Sequence, residues 1–243
     1  MAEPCRLQGE SIGMEQLYVL ETLAADMRLY AGGGWVNDTR QRCPDCGAFQ
    51  DDTEPLEIDI ALHHLGRRGF AELLWNSHGL PLFREDLVDC WREARLTGFE
   101  LKPVRVVGWH SAPEKPLPPD IPAYWRLVLV SKVRLSEPPP VDERCSTCGF
   151  VEYGFPKAGW RLPRGIRIDR QTWDGSDFSG LAGYVAFVFC DRRAAEVTLA
   201  AGYNRHIAFV RERDYNRREE FDLDKWTPKA YEEYKEGFLI RRV

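Results

Sequence analysis

The sequence predicts an α+β protein, a mixed sheet with two amphipathic helices, and three observations indicate this class. Short alternating apolar segments typical of strands recur at residues 99–107, 124–135, 183–189 and 206–212. Two segments with helical spacing, 85–97 and 191–201, stand before the first and the last of these strands. A CxxCG motif occurs twice, at residues 43–47 and 145–149. The hydrophobic fraction of 44% over 243 residues favours a packed core over general disorder.

The first elements lie before residue 76. "MEQLYVLETL", from Met14, predicts a strand, and "YAGGGW" at residues 30–35 predicts a glycine turn that leads into the first motif. "LEIDI" at residues 56–60 alternates like a strand. "RRGFAELLW" at residues 67–75 predicts one or two helical turns.

The helix at residues 85–97 has an apolar face made of Leu87, Val88, Trp91 and Ala94. We expect Trp91 to be buried on this face. Gly98 stands where a left-handed cap would end the helix. The clean alternation of "YWRLVLVSKVRL" then predicts one continuous strand over residues 124–135.

The second half repeats this order of elements. "GYVAFVF" at residues 183–189 predicts a strand in which Phe187 is buried. Asp191 is a candidate N-cap for the second helix, whose buried stripe consists of Ala194, Val197, Thr198 and Ala201. Gly202 would close that helix before the strand at 206–212.

The spacing between motif and terminal glycine is similar in the two halves. Cys43 and Gly98 are 55 positions apart, and Cys145 and Gly202 are 57 apart. An internal pseudo-repeat would explain this, and coincidence is the alternative because residue identity between the halves is low. We expect a single domain over residues 14–243, with halves 14–143 and 144–212, a C-terminal extension 213–243 and a flexible N-terminus 1–13.

The two CxxCG motifs predict a metal site. Cys43, Cys46, Cys145 and Cys148 supply four thiolates, the full set that structural zinc prefers, whereas either motif alone supplies only two. We therefore expect one structural Zn²⁺ that joins the two halves. A redox-active CxxC, an iron–sulfur cluster and independent disulfides or free thiols remain as alternatives. The other cysteines, Cys5, Cys90 and Cys190, are expected to be structural thiols.

Charge and hydropathy restrict the partners and the location. The chain has 33 Lys and Arg against 38 Asp and Glu, a net charge of −5, whereas nucleic-acid binding usually requires a basic excess. We therefore regard nucleic acid as an unlikely partner. The longest apolar run, around residues 183–189, is too short to span a membrane, and no signal peptide is visible. A cytoplasmic protein without a membrane partner is expected.

No pattern in the sequence indicates catalysis. His63 and His64 follow an apolar strand without a carboxylate partner at a useful spacing, and "NSHG" around His78 is not a nucleophile elbow. "AGGGW" lacks the following helix that a phosphate-binding loop requires. We expect a protein that is not an enzyme.

The order of these motifs resembles a known family, the double-CXXCG-motif proteins of myxobacteria, which include the swarming-inhibition immunity proteins. The resemblance rests on "CPDCG" and "CSTCG", on "MEQLYVLE" before the first motif, and on "ARLTGFELKPV" between the two. It also includes "LAGYVAFVFCDRRAAEVTLAAGYNRHIAFV" after the second motif, and so spans residues 14–212. The tail from Arg213 onward extends beyond it.

The resemblance implies a cytoplasmic immunity protein that binds and neutralises a cognate bacterial toxin, with a structural metal at the paired motifs. A zinc-ribbon-containing regulatory or nucleic-acid-binding protein is the alternative function. The candidates for the toxin contact are the most acidic stretch and its aromatic neighbours, and a solvated surface loop is the alternative interpretation. These candidates are Glu219, Glu220, Phe221, Asp222, Asp224 and Trp226.

Overall fold

The computed structural model describes residues 17–22, 33–37, 43–46, 58–62, 69–75, 81–110, 112–137, 141–148, 151–153, 166–182, 184–203 and 207–212. In chain order the elements of these residues are β1 (Tyr18–Thr22), β2 (Gly33–Asn37), β3 (Ile58–Leu62), β4 (Leu73–Trp75), β5 (Pro81–Arg84), α1 (Glu85–Glu93), β6 (Phe99–Trp109), β7 (Tyr124–Leu129), β8 (Lys132–Leu135), β9 (Val141–Arg144), β10 (Val151–Tyr153), β11 (Ile168–Asp169), β12 (Phe178–Leu181), β13 (Tyr184–Cys190), α2 (Arg192–Ala200) and β14 (Ile207–Arg211). The predicted N-terminus 1–13 and the extension 213–243 lie outside the described residues.

The described strands form two six-stranded sheets and one small hairpin. Sheet 1 has the order β2-β3-β6-β7-β5-β4, sheet 2 has the order β11-β8-β12-β13-β1-β14, and β9 pairs with β10. Both large sheets are mixed, because β3 runs parallel to β6 and β8 runs parallel to β12 among antiparallel pairs. The predicted α+β class with mixed sheets and two helices is confirmed.

Each large sheet contains the same four-strand arrangement around its helix. In sheet 1, the hairpin β4-β5 leads into α1 and then β6, and the four strands lie in the order β6-β7-β5-β4. In sheet 2, the hairpin β12-β13 leads into α2 and then β14, in the order β14-β1-β13-β12. In both cases one antiparallel strand separates the two strands that the helix connects. That strand is β7 in sheet 1 and the N-terminal β1 in sheet 2.

The largest cluster of buried residues joins both helices to both sheets. Alternate side chains of β1 belong to different clusters. Tyr18 and Leu20 belong to this central cluster. Leu17 and Val19 belong to a second cluster on the other face of sheet 2. A third cluster covers the other face of sheet 1. Because successive side chains of a strand point to opposite faces, both faces of β1 are buried.

Trp91 lies at the centre of the main cluster and is fully buried, as predicted. Its ring centroid is 4.8 Å from that of Phe83 in sheet 1 and 4.7 Å from that of Phe178 in sheet 2. Its indole Nε1 donates a 2.8 Å hydrogen bond to Oγ1 of Thr198 in α2. One side chain thus contacts both sheets and the opposite helix, with its single polar group satisfied.

Helix α1 ends earlier than predicted, and the residue that ends it is not the glycine. The amide of Arg95 donates to the carbonyl of Arg92 and the amide of Leu96 donates to the carbonyl of Trp91. This is a Schellman motif, with Arg95 in the left-handed conformation at φ 54°. The predicted helix therefore begins where expected, at residue 85, but its predicted end at residue 97 with Gly98 as the cap is wrong, since the helix stops at Glu93.

Helix α2 has the expected caps. The side chain of Asp191 accepts a 2.8 Å hydrogen bond from the amide of Ala194, which confirms it as the N-cap. At the other end Gly202 adopts φ 85° and the amide of Tyr203 donates to the carbonyl of Thr198. Arg95 therefore ends α1 in the way that Gly202 ends α2, and it follows Cys43 by 52 positions rather than the 55 of Gly98.

Gly98 has a different role, because it allows the two sheets to approach closely. A Cβ atom at this position would lie 2.0 Å from the carbonyl oxygen of Phe178 in β12. Beside it, the buried carboxylate of Asp177 accepts hydrogen bonds from the amide and hydroxyl of Thr97, at 2.7 and 2.8 Å, and from Arg193 of α2 at 2.7 Å. Asp177 therefore ties the connection after α1 to the start of α2.

The predicted strand over residues 124–135 is two strands in different sheets. β7 belongs to sheet 1 and β8 to sheet 2, and the amides of Val130 and Ser131 between them both donate to the carbonyl of Gly98. The alternation of side chains continues through this break, so the sequence pattern does not reveal it.

Three smaller predictions also differ from the structure. Residues 73–75 form strand β4 rather than a helical turn, and Gly33 and Gly34 belong to strand β2 rather than to a turn. Phe187 is only partly buried, whereas Val188 and Phe189 beside it are fully buried. Short apolar runs do not distinguish strand from helix by periodicity alone, which explains the first of these differences.

Replacing Trp91 with Ala should lower the free energy of unfolding by about 3–5 kcal/mol, because it leaves a large cavity between the sheets. Urea denaturation monitored by circular dichroism measures this loss. Val130→Ala is the matched control, since Val130 is 57% exposed and its truncation should cost less than about 0.5 kcal/mol. Equal losses in the two variants would contradict the central position of Trp91.

Replacing Arg95 with Gly should raise the free energy of unfolding by about 1 kcal/mol, because glycine adopts the left-handed conformation without the Cβ clash. Gly202→Ala is the converse variant and should lower it by a similar amount. No atom lies within 4 Å of a Cβ built at Gly202, so this effect is purely conformational. Thermal melting of both variants tests the assignment, and a destabilised Arg95→Gly protein would overturn it.

Candidate metal centre

The two CxxC motifs lie between strands that pair with each other. The first, at Cys43–Cys46, lies in sequence between the antiparallel strands β2 and β3. The second, at Cys145–Cys148, lies between the antiparallel strands β9 and β10. The chain therefore reverses direction between the paired strands on either side of each motif, and each motif forms a turn.

The structure brings the four predicted cysteines together. The Sγ atoms of Cys43 and Cys145 are 3.7 Å apart, and those of Cys46 and Cys148 are 3.6 Å apart. All four sulfur atoms lie within 4.8 Å of one another. Residues separated by 102 positions in the chain therefore meet at one point.

These distances fit four ligands around a single ion. Zinc–sulfur bonds of about 2.3 Å in a tetrahedron place the sulfur atoms about 3.8 Å apart. A disulfide would need a separation of about 2.05 Å, and none of the four cysteines forms one. In an iron–sulfur cluster the cysteines bind several irons and their sulfur atoms lie further apart. The geometry is that of a site that could hold one metal ion.

Backbone amides stabilise the thiolate form of Cys145. The amides of Cys148 and Thr147 donate hydrogen bonds to its sulfur and lower the pKa of this thiol to about 7. This is the geometry expected of a CxxC turn, where amides after the first cysteine point at its sulfur. Metals bind the thiolate, so the turn favours the form that a metal requires.

A hydrogen bond outside the sulfur cluster also joins the two motifs. The hydroxyl of Thr147 donates to the carboxylate of Asp45, and both groups are exposed. We call this pair the clasp. Neither motif indicates this contact by its sequence alone, although the two residues occupy the same position, the third, in "CPDC" and "CSTC".

The four sulfur ligands differ in exposure. Cys43 is 1% exposed, Cys145 and Cys148 are partly buried, and Cys46 is exposed. One side of the site therefore faces the protein and the other faces solvent at Cys46.

The other described cysteines lack metal partners. Cys90 and Cys190 belong to α1 and β13 and are not part of the group that could hold an ion. Burial raises the pKa of both thiols, that of Cys190 well above its ordinary value. Both observations agree with the structural role expected for them, while Cys5 lies outside the described residues.

The number of cysteines in the group matches the ligand number of a structural metal site. Four thiolates complete the tetrahedral shell of an ion such as zinc, whereas catalytic sites keep one position open. Among the described residues, these four cysteines are the one group of His, Cys, Asp and Glu side chains close enough to hold a metal ion. The arrangement can join chain segments but offers no coordination position for a reactant.

The predicted contact residues for a partner cannot be compared with the structure. Glu219, Glu220, Phe221, Asp222, Asp224 and Trp226 lie outside the described residues. Within the part of the chain that is described, no helix combines the length and the apolar character needed to cross a membrane.

No protein-family model matches the chain, and no curated protein matches it significantly.

Replacing Cys145 with Ser should abolish stoichiometric metal binding and lower the free energy of unfolding by roughly 3–5 kcal/mol, because the ion closes a loop of about a hundred residues. Elemental analysis and thermal melting, each before and after chelation, measure the two effects. Cys90→Ser is the matched control, with metal content unchanged. A wild-type protein that purifies without metal and melts identically after chelation would contradict this prediction.

Proposed function

We propose that Cys43, Cys46, Cys145 and Cys148 bind one Zn²⁺ with a structural role. The observation that carries this proposal is the convergence of four sulfur atoms within 4.8 Å. Soft thiolate ligands in a tetrahedral set favour zinc among the common cellular divalent metals. Elemental analysis that finds iron or copper in place of zinc would overturn the identity of the metal.

We also propose that the two halves are an internal repeat related by an approximate two-fold axis. Residues at such an axis contact their own counterparts. The two sulfur contacts and the clasp each join residues separated by 102 positions. In the helices, Trp91 contacts Thr198, which lies 107 positions later in the chain. The same offset of 107 leads from each buried residue of α1 to a buried residue of α2, namely from Leu87 to Ala194, from Val88 to Ala195 and from Trp91 to Thr198. An experimental structure in which no half-turn superposes the two helices and their hairpins would exclude this relation.

For the biological role, we propose a non-enzymatic immunity protein that binds and neutralises a cognate bacterial toxin in the cytoplasm. The closed four-thiolate site supports a structural rather than a catalytic use of the metal. The reason for proposing a toxin as the partner is the resemblance to the immunity-protein family, which rests on "CPDCG", "CSTCG" and the segments around them. A net charge of −5 suits a partner with a basic surface, such as the cleft of a nuclease.

The second candidate function is a zinc-ribbon regulatory or nucleic-acid-binding protein. One observation favours it: β9, the second motif and β10 form a hairpin with a CxxC turn, which is half of a ribbon. The acidic charge opposes it, because phosphate contacts need a basic surface. Salt-sensitive binding to single- or double-stranded oligonucleotides would decide for this candidate.

Co-expression with the toxin encoded beside its gene tests the immunity function. We expect the wild-type chain to restore growth and to form a stable complex, with protection complete at one chain per toxin. Cys90→Ser should protect equally. Protection far below stoichiometric amounts would indicate catalysis, and cell death without any complex would reject the immunity function.

The contact residues can be tested in the same assay. Reversing Glu219, Glu220, Asp222 and Asp224 to Lys should slow association and weaken protection while the melting temperature stays unchanged. Glu114→Lys with Asp120→Lys provides a control at exposed acidic residues elsewhere. Equal loss of protection in both variants would indicate a general charge effect rather than a contact at this stretch.

A further inference from the structure

Three features of the metal centre bear on how it would react with an oxidant. One sulfur ligand, Cys46, is exposed, whereas Cys43 is 1% exposed. The exposed sulfur lies 3.6 Å from its counterpart Cys148 in the other motif. The clasp between Asp45 and Thr147 holds the same two turns together through oxygen atoms alone. It therefore does not depend on a metal.

From these features we propose that the centre is a redox switch that exchanges its metal for a disulfide between the two motifs. This proposal rests on the proposed metal. Peroxide is the oxidant, and Cys46 is its first target because a thiolate reacts in proportion to its access to solvent. Cys148 is the resolving cysteine. The oxidised chain keeps its two halves joined.

The reaction balances in two steps. The Cys46 sulfur attacks one oxygen of hydrogen peroxide, the O–O bond breaks, and a sulfenic acid and hydroxide form. The Cys148 sulfur then attacks the sulfenic sulfur, the S–O bond breaks, and a second hydroxide leaves. Two thiolates lose two electrons in total, peroxide gains them, and two protons from solvent convert both hydroxides to water. Cys43 and Cys145 would then be the two remaining thiolate ligands, too few to hold the ion.

The pairing between motifs follows from the clasp. A CxxC motif can also close on itself, and that pairing would release one half from the other. Oxidation requires the 3.6 Å separation of Cys46 and Cys148 to shorten to about 2.05 Å. The clasp keeps the two turns adjacent after the metal leaves, so Cys46 meets Cys148 before the turns separate. Cys43, 1% exposed, is protected from direct attack.

The sequence makes the pairing measurable. Arg42 and Arg144 directly precede the first cysteines, so trypsin releases each motif on its own peptide, residues 43–67 and 145–157. Metal-loaded protein is treated with hydrogen peroxide, and metal release is followed with a chromophoric chelator. The remaining thiols are alkylated before digestion. We expect the loss of one metal ion and two thiols per chain, together with one linked peptide pair. Fragmentation of this pair should place the disulfide between Cys46 and Cys148 and the alkyl groups on Cys43 and Cys145.

Two variants test the reasoning behind the proposal. Thr147→Ala removes the clasp without removing a ligand, and should shift the products from the linked pair toward disulfides within each motif. Cys90→Ser removes a thiol outside the site and should leave rate and pairing unchanged. Within-motif disulfides in the wild type, oxidation to sulfinic acid without a disulfide, or retention of the metal would each overturn the switch. Absence of metal before peroxide is added would instead reject the proposed metal itself.

Discussion

The hydrogen bond between Trp91 and Thr198 is the contact on which the rest of the fold depends. It places the two helices at a fixed distance between the sheets, and the same indole packs against aromatic rings of both sheets. A large side chain in α1 is matched by a small one in α2, so the pair fills the space without strain. An apolar contact alone would tolerate sliding, whereas a buried donor must meet its acceptor. The two halves are therefore held in one register.

Two further contacts act between the same halves at other points. Asp177 connects Thr97, after the first helix, with Arg193 at the start of the second. The paired cysteine motifs join segments 102 positions apart in the chain. All three contacts link residues that are remote in sequence, and each uses directional bonds to do so. Directional contacts specify the relative placement of halves whose apolar surfaces would accept several arrangements.

Local sequence patterns predict much of this structure, but they do not reveal contacts between residues that are distant in the chain. The cysteine motifs and the buried face of α1 were predictable, because fixed ligand spacing and helical periodicity are properties of neighbouring residues. The break between β7 and β8 was not, because its cause is the carbonyl of Gly98, about thirty positions away. Arg95 was missed for a related reason: an arginine carries no sequence sign of a left-handed backbone. The clasp could be predicted only with the knowledge that the two turns face each other.

The position of β1 has a consequence for synthesis on the ribosome. This strand lies between β13 and β14, so its partners reach residue 211 whereas the strand itself ends at residue 22. At about 5–20 residues per second, the wait for those partners is roughly 10–40 s. During that time "YVLET" is an apolar strand with both edges unpaired, which other nascent chains could join. Sheet 1 can close as soon as residue 129 has been made, but sheet 2 can close only after residue 211 has been made. A chaperone that shields this segment would therefore act early and release late.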